Sequence, residues 1–375
     1  MKFVKLAQIL DFQKKSHIKA GDGLKEGSFP FFTSSPVLSK YSSFSQFNLP
    51  SLIFGTGGKA SVHVCKNPFS VSTDCLVAQL KTDLTQNFEI KFIYYYLFGN
   101  IWILEKGFRG AGLEHISKGY INNIDIPELP FEDQKRIVKI LDEVDSLRQK
   151  RKQAINLLDE YLKSVFLEMF GDPMKNEKGW KASPLGKYLK VKHGFAFKSE
   201  YFLNKGSFIL LTPGNFYEQG GYKDRGEKQK YYIGDFPKSY ILSKNDLLVA
   251  MTEQAPGLLG SLIFIPESNK FLHNQRLGLI IYDKVIVNRF FIFYLFNHPK
   301  IRKIIYTKAT GTKVRHTSPT KLEAINIALP PIALQNQFAI IVEKTEYTKQ
   351  KMLAQSEEME KQFQGLMQSN FSQSK

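Results

Sequence analysis

Cysteine is nearly absent from this chain of 375 residues: Cys65 and Cys75 are the only two. So few exclude a disulfide scaffold and fit a reducing, cytoplasmic setting. His63 stands near Cys65, but no second Cys-x-x-Cys and no His pair completes a zinc set. Long apolar runs are missing as well. The most apolar stretch, 92–104, contains Gly99 and Asn100 and is shorter than the roughly 18–20 residues of a membrane span. It reads as a buried helix, and no membrane is expected as a partner. The opening MKFVKLAQILDF meets charge at Lys5 and Asp11, which argues against a secretory leader. Catalytic signatures are equally scarce. Phe54-Gly55-Thr56-Gly57-Gly58 resembles the glycine turn of an S-adenosylmethionine site, but 59–64 reads as strand where a helix should follow, which favours a tight β-turn. Asn67-Pro68-Phe69 lacks the second proline of the amino-methyltransferase motif. Around Gly58-Lys59 a P-loop would need Gly at position 53 and Ser or Thr at position 60; Ile53 and Ala60 stand there. No catalytic residue, metal or cofactor emerges.

What is present is core material and positive charge. Hydrophobic residues make up 43% and aromatics 13%, enough for two or three globular domains. The formal net charge is +17, placed unevenly: residues 1–130 carry +4, 131–180 none, 181–330 +13 and 331–375 none. A balance of this kind attracts polyanions, nucleic acid foremost.

The chain repeats itself. Shifted by 201 positions, 110–141 falls on 311–342 with identities that include Gly110/Gly311, His115/His316, Pro130/Pro331 and Gln134/Gln335. Shifted by 179, residues 6–33 fall on 185–212 with Leu6/Leu185, Gly27/Gly206, Phe29/Phe208 and Thr33/Thr212. One duplication with a net insertion of 22 residues in the second copy accounts for both. Each half is a globular region followed by a periodic tail.

The tails are expected to be long helices. From Phe131 to Met169 there is no Gly or Pro, and Ile137, Ile140, Val144, Leu147, Ala154, Leu158, Tyr161 and Val165 form a heptad seam, widened by Ile155, Leu162 and Met169 and interrupted by Arg151. Pro130 precedes this helix and Gly171-Asp172-Pro173 ends it. The second tail keeps Phe338, Ile341, Met352, Met359, Phe363 and Leu366, with a weaker seam at Thr345, Thr348, Gln355 and Gln362. Such helices cannot bury a stripe alone; each is expected to pair with its duplicate. The globular regions hold short β-type runs, Leu247-Leu248-Val249-Ala250 among them, beside few helices, which points to α+β domains.

Candidate contacts to nucleic acid are polar residues on glycine-rich or basic loops. Lys313, Arg315 and His316 follow Gly311; Arg109 and His115 occupy the corresponding loop of the first half. Lys223, Arg225 and Lys228 form a cluster, and Asn274-Gln275-Arg276 offers amides suited to adenine beside a guanidinium suited to guanine. Each also has a plain reading as solvated surface.

The helix starts carry a resemblance. Ile124-Asp-Ile-Pro-Glu-Leu-Pro-Phe-Glu-Asp-Gln134 opens one long helix and Ile325-Asn-Ile-Ala-Leu-Pro-Pro331-Ile-Ala-Leu-Gln335 the other. With Gly179-Trp180, Leu185-Gly186 and His193-Gly194-Phe195-Ala196-Phe197-Lys198, the whole chain resembles the specificity (S) subunits of type I restriction–modification systems. The resemblance implies two duplicated α+β target recognition domains, 1–130 and 181–330. It implies spacer helices over 131–170 and 331–375, packed as an antiparallel coiled coil, with a linker at 171–180. It implies a non-catalytic subunit that reads a split, asymmetric site in double-stranded DNA and brings modification (methyltransferase) and restriction subunits to it. Lys198 joins the DNA-contact candidates on this ground. Ile137, Val144, Leu147, Leu158, Tyr161, Phe338, Ile341, Met359 and Phe363 are then the helix-pair and docking residues. Two other classes stay open: a bipartite nuclease or methyltransferase whose site the sequence hides, and a coiled-coil tether whose basic heads bind protein or RNA.

Overall fold

The computed structural model describes residues 2–371 apart from Leu113 and Ala255; the end of the expected C-terminal segment, 372–375, lies outside the described residues. Two compact units are present. One joins the residues up to Ala154 with those from Met352 on, and the other is Ile155–Lys351.

In the first unit, β1 (Leu10–Phe12), β2 (Ser51–Gly55), β3 (Ser61–Cys65) and β4 (Cys75–Leu80) form an antiparallel sheet in the order β1-β4-β2-β3. In the second, β5 (Leu189–His193), β6 (Leu247–Ala250), β7 (Leu262–Phe264) and β8 (Leu277–Tyr282) repeat that order as β5-β8-β6-β7. Both sheets are covered on both faces, which explains why their central strands read as continuous apolar runs. Leu247 and Val249 face one core while Leu248 and Ala250 face another. Leu52 and Phe54 are separated from Ile53 in the same way. Beside each sheet lies a parallel strand pair, Phe29–Phe32 with Ser70–Val71 and Phe208–Leu210 with Phe271–Leu272. The α+β class and the duplication read from the sequence are therefore the architecture observed.

Helix α1 (Ile90–Gly99) covers the first sheet. The stretch 92–104 is not one helix: Asn100 ends α1 with its Nδ2 on Tyr96 O (3.0 Å), and a short turn, Trp102–Glu105, follows. The long helices are α2 (Phe131–Phe170) and α5 (Ile332–Phe371), each of 40 residues. Between them in the chain lie α3 (Arg289–Asn297) and α4 (Pro299–Thr307). Gly171, at φ +69°, closes α2 by donating its N–H to Leu167 O (2.7 Å).

The glutamine shared by both helix starts has a structural task. Gln134 is fully buried; its Oε1 accepts from Glu89 N (3.0 Å) and its Nε2 donates to Asn87 O (2.9 Å) and Leu129 O (2.8 Å). Gln335 repeats the arrangement with Asn288 N (2.8 Å), Ile286 O (3.3 Å) and Pro330 O (2.8 Å). One amide thus satisfies backbone groups of the segment before α1 or α3 and fastens that segment to the first turn of the long helix.

The helices pair antiparallel. In the first unit the Arg148 guanidinium binds Glu360 (Nε–Oε2 3.0 Å) and lies 4.1 Å over the Phe363 ring, and Arg151 donates to Gln355 (2.6 Å). In the second, Lys349 meets Asp159 (2.5 Å) and Phe166 packs on Phe338, with ring centroids 5.6 Å apart. Eleven residues forward from Arg148 to Asp159 on α2 match eleven backward from Glu360 to Lys349 on α5.

The buried seam lies one position round from the expected one. Ile140, Leu147 and Tyr161 are 42, 56 and 49% exposed, whereas Val138 and Leu141 are buried; Leu162, which widens the expected stripe, is buried as well. Ile137, Phe338 and Phe363 are buried as expected; Val144, Leu158, Ile341 and Met359 are partly so. The heptad reading assumed helices that meet only each other. Each half-helix also packs on a domain, and the buried face turns toward that second neighbour. Of the polar residues expected in the second seam, Thr345 is buried while Thr348, Gln355 and Gln362 are exposed.

Each core draws on a distant part of the chain. Phe363, Met367 and Phe371 of α5 complete the core of the first unit, Phe371 lying 5.5 Å from Phe92 and 5.8 Å from Tyr96. Leu162, Val165, Phe166 and Phe170 of α2 belong to the core of the second. Replacing Gln134 by Leu keeps the volume but orphans one N–H and two carbonyls in a buried place. The expected loss is about 2–3 kcal/mol in urea unfolding; a change below about 0.5 kcal/mol would contradict the amide's structural role.

Candidate nucleic-acid interface

The two glycine loops fold as equivalents. In the first unit the 56–60 turn links β2 to β3, with Gly58 at φ +78°, as the β-turn reading required. Thr56 O accepts from Ile116 N (3.1 Å) and from His115 Nδ1 (3.1 Å), which fixes the proton on Nδ1. In the second unit Thr252–Glu253 pairs with Arg315–His316, and Thr317 N donates to Met251 O (2.9 Å). Thr310 and His316 exchange backbone hydrogen bonds (2.9 and 2.8 Å) to close the loop between them. Gly311 is at φ +93°, and a Cβ there would stand 2.1 Å from Val314 O, so this turn requires glycine.

Several of the sequence candidates gather at one place. Met251 N donates to Arg276 O (3.0 Å), next to the Thr252/His316 pair. Gln275, Arg276, Arg315 and His316 therefore surround the end of β6. Gln275 and Arg276 are exposed, but Asn274 is buried and its Oδ1 accepts from Arg276 N (3.0 Å). Arg315 is held rather than free: its guanidinium lies 4.0 Å over Tyr306 and donates to Tyr306 O (3.1 Å). Lys313 and His316 are exposed. Lys198 follows Phe195, whose carbonyl accepts from Gln275 N (2.9 Å), and makes a 4.0 Å contact with Glu200.

Lys223, Arg225 and Lys228 sit on the crossing from Leu210 to β6. That crossing, 211–246, is twice as long as its counterpart 33–50 and holds most of the insertion. Buried Asn215 organises it, accepting from Thr212 N (3.0 Å) and donating to Gln229 Oε1 (2.9 Å) and Lys223 O (3.4 Å). In the first unit Arg109 folds back onto Lys106 O (2.7 Å) and Phe108 O (2.8 Å).

Sequence reasoning missed Glu253 and Arg302. Glu253 is 4% exposed, and its Oε2 accepts from the N–H groups of Gly257 (3.0 Å), Leu258 (2.9 Å) and Leu259 (2.8 Å). Arg302, on α4, donates Nε to Leu259 O (2.7 Å), Nη1 to Glu218 O (3.0 Å) and Nη2 to Gly257 O. Burial draws Arg302 down to about 10, opposed by Glu253 and Glu218, so it remains a cation at neutral pH. Gly257 and Gly260, both at positive φ, are the only sequence trace of this loop's tight path; nothing in the sequence links it to an arginine on a helix beyond β8.

The possible metal residues are otherwise engaged. His63 Nε2 meets Ser35 O (2.9 Å), and the Cys65 thiol, pushed up by burial, meets Asn67 O (3.3 Å). Among the described residues no group of three or more His, Cys, Asp or Glu is placed to hold a metal, and no helix is long and apolar enough to cross a membrane.

Comparison with known proteins follows this geometry. The model of the type I restriction modification DNA specificity domain matches residues 1–157 and again 177–360. The chain belongs to that family, as its helix starts suggested. Among curated relatives, the MjaVIII specificity subunit of Methanocaldococcus jannaschii is 24% identical over 246 residues, 62% of this chain and 57% of the relative. The EcoAI specificity subunit of Escherichia coli is 26% identical over 167 residues, 44% and 28% of the two chains. The chain thus spans little more than half the length of the M. jannaschii relatives it matches. Among solved structures, the S subunit from M. genitalium aligns over 100% of this chain and 96% of its own, with TM-score 0.59 at 14% identity. A chain from a type I system solved for complex assembly and conformational transition aligns over 99% and 97%, with TM-score 0.56 at 15% identity. At such identities the likeness is one of fold.

His273, beside the Gln275–Arg276 turn, gives a pH prediction. It is 1% exposed, its Nε2 meets Leu277 O (3.0 Å), and burial lowers its pKa to about 4. The folded value lies below the unfolded value of about 6.5. The stabilisation is therefore complete above about pH 6.5 and is lost as pH falls toward 4, on the order of 3 kcal/mol in all. Melting temperature should fall over that window, and less steeply in His273→Asn; equal slopes would contradict the assignment.

Proposed function

We propose that the chain is the DNA-reading subunit of a type I restriction–modification assembly. Each domain reads one part of a two-part duplex site, and the helix pair carries the modification subunits, with restriction subunits joining where they exist. The chain itself is non-catalytic in this reading. The observation that carries it is the duplication of one loop arrangement: in both units a histidine-bearing strand is tied to the turn at the end of a central sheet strand. In the second unit Gln275, Arg276, Lys313, Arg315 and His316 cluster there, within a region of net charge +13. Polar donors on loops held by backbone bonds suit phosphates and base edges. Arg109, His115, Lys198, Lys223, Arg225 and Lys228 are assigned to the same contact, with phosphate as the expected target of the lysines. For docking, the reading is supported by apolar residues left exposed on the long helices: Ile140 and Leu147, Leu157 and Tyr161, Ile340 and Tyr347.

The test is the methylated motif in genomic DNA of cells that carry this chain with a methyltransferase partner. Two short motifs separated by a fixed gap are expected; one continuous motif, or methylation unchanged by the chain, contradicts the reading. A second measurement addresses the loop at Gly311. Replacing Lys313 and Arg315 together by Ala should flatten the plot of log K against log salt by about one unit, for the phosphate contact of Lys313. It should also relax the sequence preference at one position of one half-site only. Unchanged slope and preference would make the loop structural.

A further inference from the structure

Buried Glu253 and half-buried Arg302, of opposite charge, hold one loop of the second domain between them. Their bonding is complementary. Glu253 takes the backbone donors of Gly257, Leu258 and Leu259, while Arg302 takes the backbone acceptors of Gly257 and Leu259. A loop that cannot use its own N–H and C=O groups in a sheet is held from both sides by side chains. The same guanidinium reaches Glu218 O, in the inserted crossing that carries Lys223, Arg225 and Lys228. One turn further along α4, Tyr306 takes the Arg315 guanidinium on its ring face and on its carbonyl. Glu253 itself pairs with Arg315 across the short strand pair. Close approach is built in: a Cβ at Gly260 would lie 2.6 Å from Ile305 Cδ1, and one at Gly257 would lie 2.9 Å from the Glu218 carboxyl carbon.

Resting on the DNA-reading function proposed above, we infer that Glu253 and Arg302 are positioning residues for target discrimination by the second domain, fixing the 257–259 loop and the inserted crossing at Glu218 against α4, beside the Arg315 segment that Tyr306 holds, so that their polar side chains meet the duplex in one geometry. Neither residue touches DNA in this account. Their loss leaves the basic surface in place but lets the segments move independently. Non-specific attraction, which depends on charge, then survives, while base discrimination, which depends on geometry, is lost.

The experiment uses the full chain and a pool of random-sequence 40-base-pair duplexes, with sequencing of the bound fraction. Wild-type protein should enrich a two-part motif. Arg302→Lys keeps the charge but cannot fork to three carbonyls, and Glu253→Asp keeps the charge but draws the carboxylate back by one methylene from the three N–H groups that Oε2 accepts. Each should lower discrimination by about tenfold in one half of the motif. The other half should remain unchanged, and affinity for the unselected pool at low salt should stay within about threefold of wild type. Arg302→Met is the stronger variant; if its melting temperature drops steeply, the other two carry the test. Folded variants that retain both halves at wild-type discrimination overturn the inference. Loss of both halves together, in every variant, reduces the pair to a folding element and overturns it as well. A wild-type chain that enriches nothing refutes the DNA-reading function first, and is distinguished from these by the wild-type result alone.

Discussion

A helix of 40 residues cannot stand in water with an apolar stripe along its length, and this chain contains two. Their burial governs the rest of the molecule. Each helix covers its duplicate, and each half of the pair also closes a domain core. The first domain is completed by Phe363, Met367 and Phe371, from the far end of the chain; the second is completed by Leu162, Val165, Phe166 and Phe170. Neither sequence half therefore contains the whole of one core, and the folding of each domain is coupled to the pairing of the helices.

The pairing is apolar toward the domains and polar between them in sequence. Arg148 with Glu360, Arg151 with Gln355, and Lys349 with Asp159 form partly exposed contacts, each worth little in stability. Their value lies in register: a shift by one heptad would separate these partners, and a parallel arrangement would not form them. The buried glutamines Gln134 and Gln335 set the other end condition, fastening each long helix at its start to its own domain.

The architecture was legible because it is written in periodicity and repetition. Long periodic stretches, the first free of Gly and Pro, gave the long helices, and two offsets gave the duplication of the two halves. The paired Leu-Pro and Gln starts pointed to the family. The seam was misplaced by one position because heptad counting assumes a single neighbour, and the presence of a second one is a tertiary fact. The candidate interface was legible only in part. Glycine and cation spacing located the loops at Gly311 and at 223–228, and the structure joins the Gly311 loop to Gln275 and Arg276. Spacing could not tell a free Arg315 from one laid on Tyr306, nor a reading Asn274 from a buried one. Glu253 and Arg302 were invisible because their partners are backbone groups, which carry no residue code.

The proposed reading of a two-part site, with the helix pair setting the gap, is tested most directly by inserting one heptad into each helix. Positions beside Arg151 and Met352 lie near one another in the antiparallel register. Seven residues add about 10 Å and turn the face by only about 20°. At about 3.4 Å per base pair, the gap in the methylated motif should lengthen by roughly 3 base pairs with both half-site sequences kept. An unchanged gap with methylation intact, or altered half-sites, would contradict the account.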